Sequence, residues 1–336
     1  MLAFVMGCAG HYGGAPAGHA KALGAGPGIA AAGLPFEILD RGGHGVDAAA
    51  FWSQLAQASA VCVGEEHPNP HHHWMQLEVV KHLVAGSPFG VGMEMVQRPF
   101  QGVLDDLATK KIDDATFTSR AGWADRWGYP YELYGPILHV AIDAHASLIA
   151  LNAPKELTKK VSHHGLDALT PDERAQLPEL DLKVSAHRAW FDSLMEEMGG
   201  GAAHAHAAHK DDAKADGKDE PAKDADPHHD EAPAMPSMEQ IYTVQVIWDE
   251  TMADTGAKWL VAHPHGHLVI LAGNGHCHDS AIVGRMKRRG VGDAVSVRVV
   301  IDDGEGGVAE ALAKPMNDFV VVMKLPPGTK ADEKKD

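Results

Sequence analysis

Three short stretches carry side chains able to move a proton or hold a metal: Gly64-Glu65-Glu66-His67, Glu94 within GMEM, and Gly273-Asn274-Gly275-His276, the last followed by Cys277 and His278. Carboxylates and imidazoles together suit a divalent metal ion with an open coordination position, held by Glu65, Glu66, His67, Glu94 and His276, or a general acid/base pair. Each stretch follows a run of small β-formers, as VCV precedes GEEH and LVILA precedes GNGH. In a parallel sheet the carboxyl ends of the strands share one edge, so stretches far apart in the chain can converge in one crevice. The plainer alternative is that a strand-end glutamate caps the next helix, as Glu65 or Glu66 could beside Pro68, and that a strand-end histidine is a satisfied structural group.

Other polar clusters are less specific. His71, His72 and His73 lie about 100° apart on a helix, so at most one can face a shared crevice, and the run reads mainly as a solvated helix start. His204, His206, His209, His228 and His229 sit in an acidic segment that suits loose capture of zinc, nickel or copper, or else a solubilising spacer. His263, His265 and His267 precede a late strand and could join the rim of the crevice. In WADRWGYPYELYG, Trp123, Trp127, Tyr129, Tyr131 and Tyr134 could wall a flat cofactor, with Tyr131 or Tyr134 as an axial ligand to ferric iron; core packing is the alternative. Cys62 and Cys277 have no metal-site spacing and read as small buried hydrophobes.

The elements that must position these residues alternate. Strands are expected at 36–39, 60–64, 90–95, 147–152, 268–272, 294–301 and 319–323. Helices are expected at 47–58, 69–84, 101–117, 134–144 and 280–289, with a long one from Ser237, where Ser237 and Gln240 form a capping box, to about Leu260. That order predicts an α/β fold: a mostly parallel sheet flanked by helices, with an inserted helical subdomain where 155–198 stays helical. Residues 34–198 and 237–325 would form one discontinuous domain. Between them, 199–236 has almost no large apolar residue and is expected to be a disordered His/Asp-rich insertion, and 326–336 a loose charged tail.

Composition bounds the function. The 336 residues are 45% apolar, enough for a sizeable core, and carry 46 acidic against 29 basic residues, a formal charge of −17. No basic run tracks phosphates, which argues against a nucleic-acid partner. The 23 histidines are the anomaly, since each titrates near about 6.5 and each neutral ring can ligate metal or haem. MLAFVMGC lacks a charged n-region but resembles the end of a bacterial lipoprotein signal, which would make 1–8 a signal remnant, Cys8 the lipidated residue and 9–33 a flexible tether; an ordinary start with a chance cysteine is the alternative.

GEEHPNPHHHWMQLEVV, GMEMVQRPFQ, YGPILHVAIDAHASLIALNAP, YTVQVIWDETMA and LVILAGNGHCHDSAIVGRM resemble, in this order, the ChaN family of haem-binding lipoproteins, in a superfamily with the Tiki proteases and the erythromycin esterases. The resemblance implies a lipid-anchored protein of the bacterial outer membrane, facing the periplasm or the cell surface, that binds haem or an iron compound in iron uptake and can form a homodimer around haem. It implies that Glu65, His67, Glu94 and His276 match the site of the hydrolytic relatives, so that a metal-dependent hydrolase of peptide or ester bonds is the alternative. Gln245, Asp249 and Met252 match the family's helix pattern and share one helix face. Arg98 could pair with a carboxylate or a haem propionate.

Overall fold

The computed structural model describes residues 28–85, 88–207 and 235–326, with the backbone alone for 200–207. Seven strands form its sheet: β1 (Phe36–Asp40), β2 (Ala60–Glu65), β3 (Phe89–Gln97), β4 (Ser147–Asn152), β5 (His267–Gly273), β6 (Val295–Asp302) and β7 (Phe319–Lys324). Their spatial order is β1-β7-β6-β2-β5-β3-β4, all parallel except β1, which runs antiparallel to β7 at one edge. The fold is therefore the α/β sheet that the alternation of elements predicts.

The central strands are continuous apolar runs because both of their faces are covered. Val61, Val63, Met93, Val269, Leu271 and Val297 point into one core layer, while Cys62, Ile149, Leu151, Ile270 and Ala272 point into the other. The first layer is filled from α1 (Ala48–Gln57), α2 (Pro70–Leu83), α3 (Gln101–Ala108), α4 (Asp114–Arg120), α5 (Trp123–Arg126) and α6 (Gly135–Asp143). The second is filled from α7 (Lys155–His164), α10 (Met238–Ala262) and α11 (Ile282–Arg288), with α8 (Pro171–Arg174) and α9 (Ser185–Ala207) beyond α7 in the chain and α12 (Gly307–Ala313) beside β6.

Local chemistry sets the helix boundaries. Asp47 caps α1 by accepting from the amides of Ala49 and Ala50, and Ser237 with Gln240 closes both halves of the capping box on α10. Asn69, followed by Pro70 at the first helical position, starts α2, which leaves His67 outside the helix. The helix expected over 101–117 is interrupted at Thr109, because Asp113 accepts from the amide of Thr116 and begins α4.

Two expected boundaries shift. Ile29 and Ala32, placed in the tether, pack into the core, and the carbonyl of Ala32 lies 2.6 Å from Nδ1 of His71. Helix α9 continues to Ala207, past Gly199 where the insertion was expected to begin. The rest of the insertion, 208–234, lies outside the described residues, as do Cys8 and the tail beyond residue 326. A disulfide joins Cys62 of β2 to Cys277, which corrects the reading of both as free buried hydrophobes. Their separation of 215 residues hid the pairing, which becomes visible only once β2 and β5 lie side by side.

Candidate functional site

The carboxyl ends of β2 and β5 are neighbours in register, Glu65 opposite Gly273, and β3 flanks β5 on its other side with Met93 opposite Leu271. The three expected stretches therefore meet at one edge of the sheet. Their side chains form two buried arrays in which each imidazole lies against a carboxylate.

The first array is centred on Glu65, which is fully buried. Its Oε1 lies 2.8 Å from Nδ1 of His67 and accepts the hydroxyl of Tyr134 at 3.0 Å, and its Oε2 lies 2.8 Å from Nδ1 of His73. Burial alone would raise the Glu65 carboxyl, but His73 and His67 outweigh it and hold the group well below the usual carboxylate range. Nε2 of His73 lies 2.9 Å from the carbonyl of His67, which fixes the loop that carries the latter.

The second array runs through His276. Its Nδ1 is 2.7 Å from Oδ1 of Asp249 on α10, and its Nε2 is 3.3 Å from Oε1 of Glu94. The other Glu94 oxygen accepts the amide of Gly273 at 2.7 Å, and Oδ2 of Asp249 lies 3.0 Å from Nε2 of His187 with the buried Arg285 behind it. Burial raises both carboxyls, yet His276 beside each, with His187 and Arg285 beside Asp249, brings both below their ordinary values. The arrays meet at Gly273, where a Cβ would stand 3.0 Å from Cε1 of His67 and 3.8 Å from Oε2 of Glu94, so a side chain at 273 would push them apart.

Above the arrays opens a cleft of about 220 Å³. Trp190, Leu194 and Met198 of α9 with Trp248 of α10 and Met316 form its apolar walls. His67, His276 and Gln245 line its polar side, and Glu66, Arg298 and Lys314 are also at its surface.

The structure gathers Glu65, Glu66, His67, Glu94, His276, Gln245 and Asp249 at the cleft or directly beneath it, sets Tyr134 behind them against Glu65, and places Tyr131, Arg98 and Met252 elsewhere. Tyr131 donates to Asp114 at 3.0 Å and Tyr134 to Glu65; neither lines the cleft, and burial pushes both phenols above their ordinary range. Arg98 pairs with Asp254 at 2.7 Å and ties β3 to α10, and Met252 is fully buried in the core beneath α10. The expected solvated run is also corrected: His72 and His73 are fully buried, Nδ1 of His72 accepting the amide of Glu66. His263, His265 and His267 lie at the start of β5, the opposite edge of the sheet from the cleft, about 20 Å away at the usual rise per strand residue. His73, His187 and Arg285 belong to the site without having been singled out for it. His187 lies in an otherwise ordinary helical stretch, and no local spacing links it to residue 249.

Iron or another metal needs several donors converging on one point. Among the described residues no group of three or more His, Cys, Asp or Glu side chains is so arranged, because each imidazole faces a carboxylate instead. The donor set therefore does not fit a divalent ion held by protein ligands alone. Haem asks less of the protein, since its iron arrives with four ring nitrogens and needs one or two further donors beside an apolar wall, and the cleft supplies that wall with two imidazoles at its surface.

Comparison with known proteins agrees with this fold. No curated protein matches the chain. Among solved structures, a ChaN of Campylobacter jejuni described for cofacial haem binding is 15% identical, with a TM-score of 0.58 over 86% of this chain and 97% of its own. A succinoglycan biosynthesis protein is 12% identical over 82% of this chain and 89% of its own, with a TM-score of 0.43. The erythromycin esterase EreC is 13% identical over 86% and 83%, with a TM-score of 0.40. At such identities the first likeness speaks for the fold alone. The model of the family described as haem-binding uptake, Tiki superfamily, ChaN matches residues 51–286, more than two thirds of the sequence, and the chain belongs to that family.

Proposed function

We propose that this protein binds haem in the cleft above the two arrays and carries it, lipid-anchored through Cys8 at the outer membrane and facing the periplasm, as part of iron uptake. The observation that carries the reading is the combination of surfaces in one cleft: indole, thioether and aliphatic groups from Trp190, Trp248, Met198, Met316 and Leu194 together with the imidazoles of His67 and His276. The walls would hold the porphyrin face, and the ring nitrogen for its iron would come from His67, whose Nδ1 faces Glu65, or from His276 on exchanging its 3.3 Å contact with Glu94. At about 220 Å³ the cleft is smaller than the roughly 300–1,000 Å³ usual for organic ligands, so part of a porphyrin would stay outside it, where a second copy of the chain could cover it. The Cys62–Cys277 disulfide supports an oxidising compartment, as an exported protein requires.

Titration of the purified chain with hemin tests the reading. A saturable shift of the Soret band at a fixed stoichiometry is expected, kept by Y131F and Y134F and lost when His67 and His276 are both replaced by Ala. No shift at micromolar hemin would refute it. For the anchor, C8S should move the protein from the membrane fraction to the soluble one.

A second reading, hydrolysis of an amide or ester, is favoured by one feature: His276 lies between two buried carboxylates, Asp249 and Glu94. That arrangement suits an imidazole that exchanges a proton with water, Asp249 fixing the ring and Glu94 facing the reacting side.

A further inference from the structure

The cleft contains a guanidinium that the fold leaves underused. Arg298 points from β6 to the α12 side of the sheet and is 27% exposed. Its one ion pair among the described residues is a long contact of 3.8 Å to Glu310, and its Nε is buried without a hydrogen-bond acceptor. Burial lowers the Arg298 pKa, which marks a charge partly stripped of water and only partly compensated. Its neighbour Lys314 is different: the ammonium is held by Glu197 at 2.6 Å and by the hydroxyl of Ser193 at 2.7 Å, linking α12 to α9. Lys314 thereby neutralises the nearest acid of α9, while the other two cleft acids, Glu310 and Glu66, both lie close enough to Arg298 to offset part of its charge.

We infer that Arg298 is the anchor for a carboxylate on the ligand of this cleft, and so selects an amphipathic molecule with an apolar body and an acidic tail. The inference rests on the haem reading, in which the tail is a propionate. A carboxylate entering beside Arg298 would replace the long contact to Glu310 with a charge-assisted, two-pronged pair, the geometry in which a guanidinium exceeds an ammonium. The apolar walls and the imidazoles line the same cleft as Arg298, so the cation completes a site that reads both ends of the molecule.

Hemin and hemin dimethyl ester separate this proposal from its parent, because they share iron and ring and differ in whether the carboxylates are free. Wild-type protein should bind hemin about 10-fold or more tightly than the ester, as loss of a charged hydrogen-bonded pair implies. R298Q should weaken hemin by a similar factor and leave the ester unchanged, so that discrimination disappears; R298K, which keeps the charge without the fork, should keep part of it. Equal binding of the two ligands by wild type, or an equal loss of both in R298Q, would overturn the anchor while the haem reading stands. Failure of wild type to bind either would overturn both.

Discussion

Asp249 and His276 are 27 residues apart, one on a long helix and the other just past a strand, yet Oδ1 of the first lies 2.7 Å from Nδ1 of the second with both side chains buried. The contact fixes the ring in the plane that turns its Nε2 toward Glu94 and the cleft. It also settles which side of α10 faces the sheet edge, since Gln245 one turn earlier lies 3.2 Å from the same imidazole nitrogen. D249N keeps the shape but removes the charge that faces His187, His276 and Arg285. Breaking a buried pair from one side costs about 3–5 kcal/mol, so a loss of that order in urea unfolding at pH 7 is expected. Hemin affinity should fall with it, because the ring is no longer held.

Acid should destabilise the fold through two histidines outside the direct site. Burial pushes His72 and His278 down to about 3, whereas an unfolded histidine takes its proton near about 6.5. Between those values the unfolded chain binds protons that the folded chain refuses. Stability therefore falls as pH is lowered through this window, by about 1.4 kcal/mol per pH unit for each group. The variant H72Q can still accept the amide of Glu66 but cannot titrate. The stability advantage of wild type over H72Q should shrink steadily from pH 6.5 to pH 4.5 in urea titrations, and an advantage independent of pH would show that His72 is protonated in the fold.

The sheet was legible because its strands are unbroken apolar runs between turn residues, and the edge that carries the site followed from parallel topology alone. Glu65, His67, Glu94 and His276 could be found for that reason. What escaped notice depends on contacts between distant segments. His187 meets Asp249 across 62 positions, and Cys62 meets Cys277 across 215. The histidines of α2 misled for a different reason: charge-bearing types suggest solvent, yet His72 and His73 are buried because the amide of Glu66, the carbonyl of His67 and the carboxylate of Glu65 give them partners. The aromatic stretch was chemically suggestive and proved to be largely core, with Trp123, Trp127 and Tyr134 buried around α5 and α6.

The disulfide places a second constraint on the site. Cys277 is the residue after His276, and its partner lies in the central strand β2, so the bond ties the loop carrying the imidazole to the sheet. A loop of 215 residues implies roughly 5 kcal/mol of stabilisation through restriction of the unfolded chain. Replacing both cysteines by Ala should lower stability by that order and weaken hemin binding by loosening His276. Both sulfurs are buried, so wild type should lose neither property under mild reductant until it begins to unfold.

Glu94 separates haem binding from hydrolysis most directly. Its Oε2 accepts the amide of Gly273 at 2.7 Å and its Oε1 faces Nε2 of His276 at 3.3 Å. In E94Q the amide oxygen can still accept from Gly273 while the NH2 group turns toward the ring, so the fold should survive with a loss of about 1–3 kcal/mol from the missing charge. A haem carrier needs the ring and the walls, and E94Q should bind hemin within a few-fold of wild type. A hydrolase needs a group that takes and returns a proton, which an amide cannot do, and ester or peptide turnover should fall by about 10² or more. Measuring hemin affinity and hydrolysis of a chromogenic ester on the same two proteins decides the matter: retained affinity with no turnover in wild type supports the carrier. Turnover in wild type that disappears in E94Q would establish the enzyme.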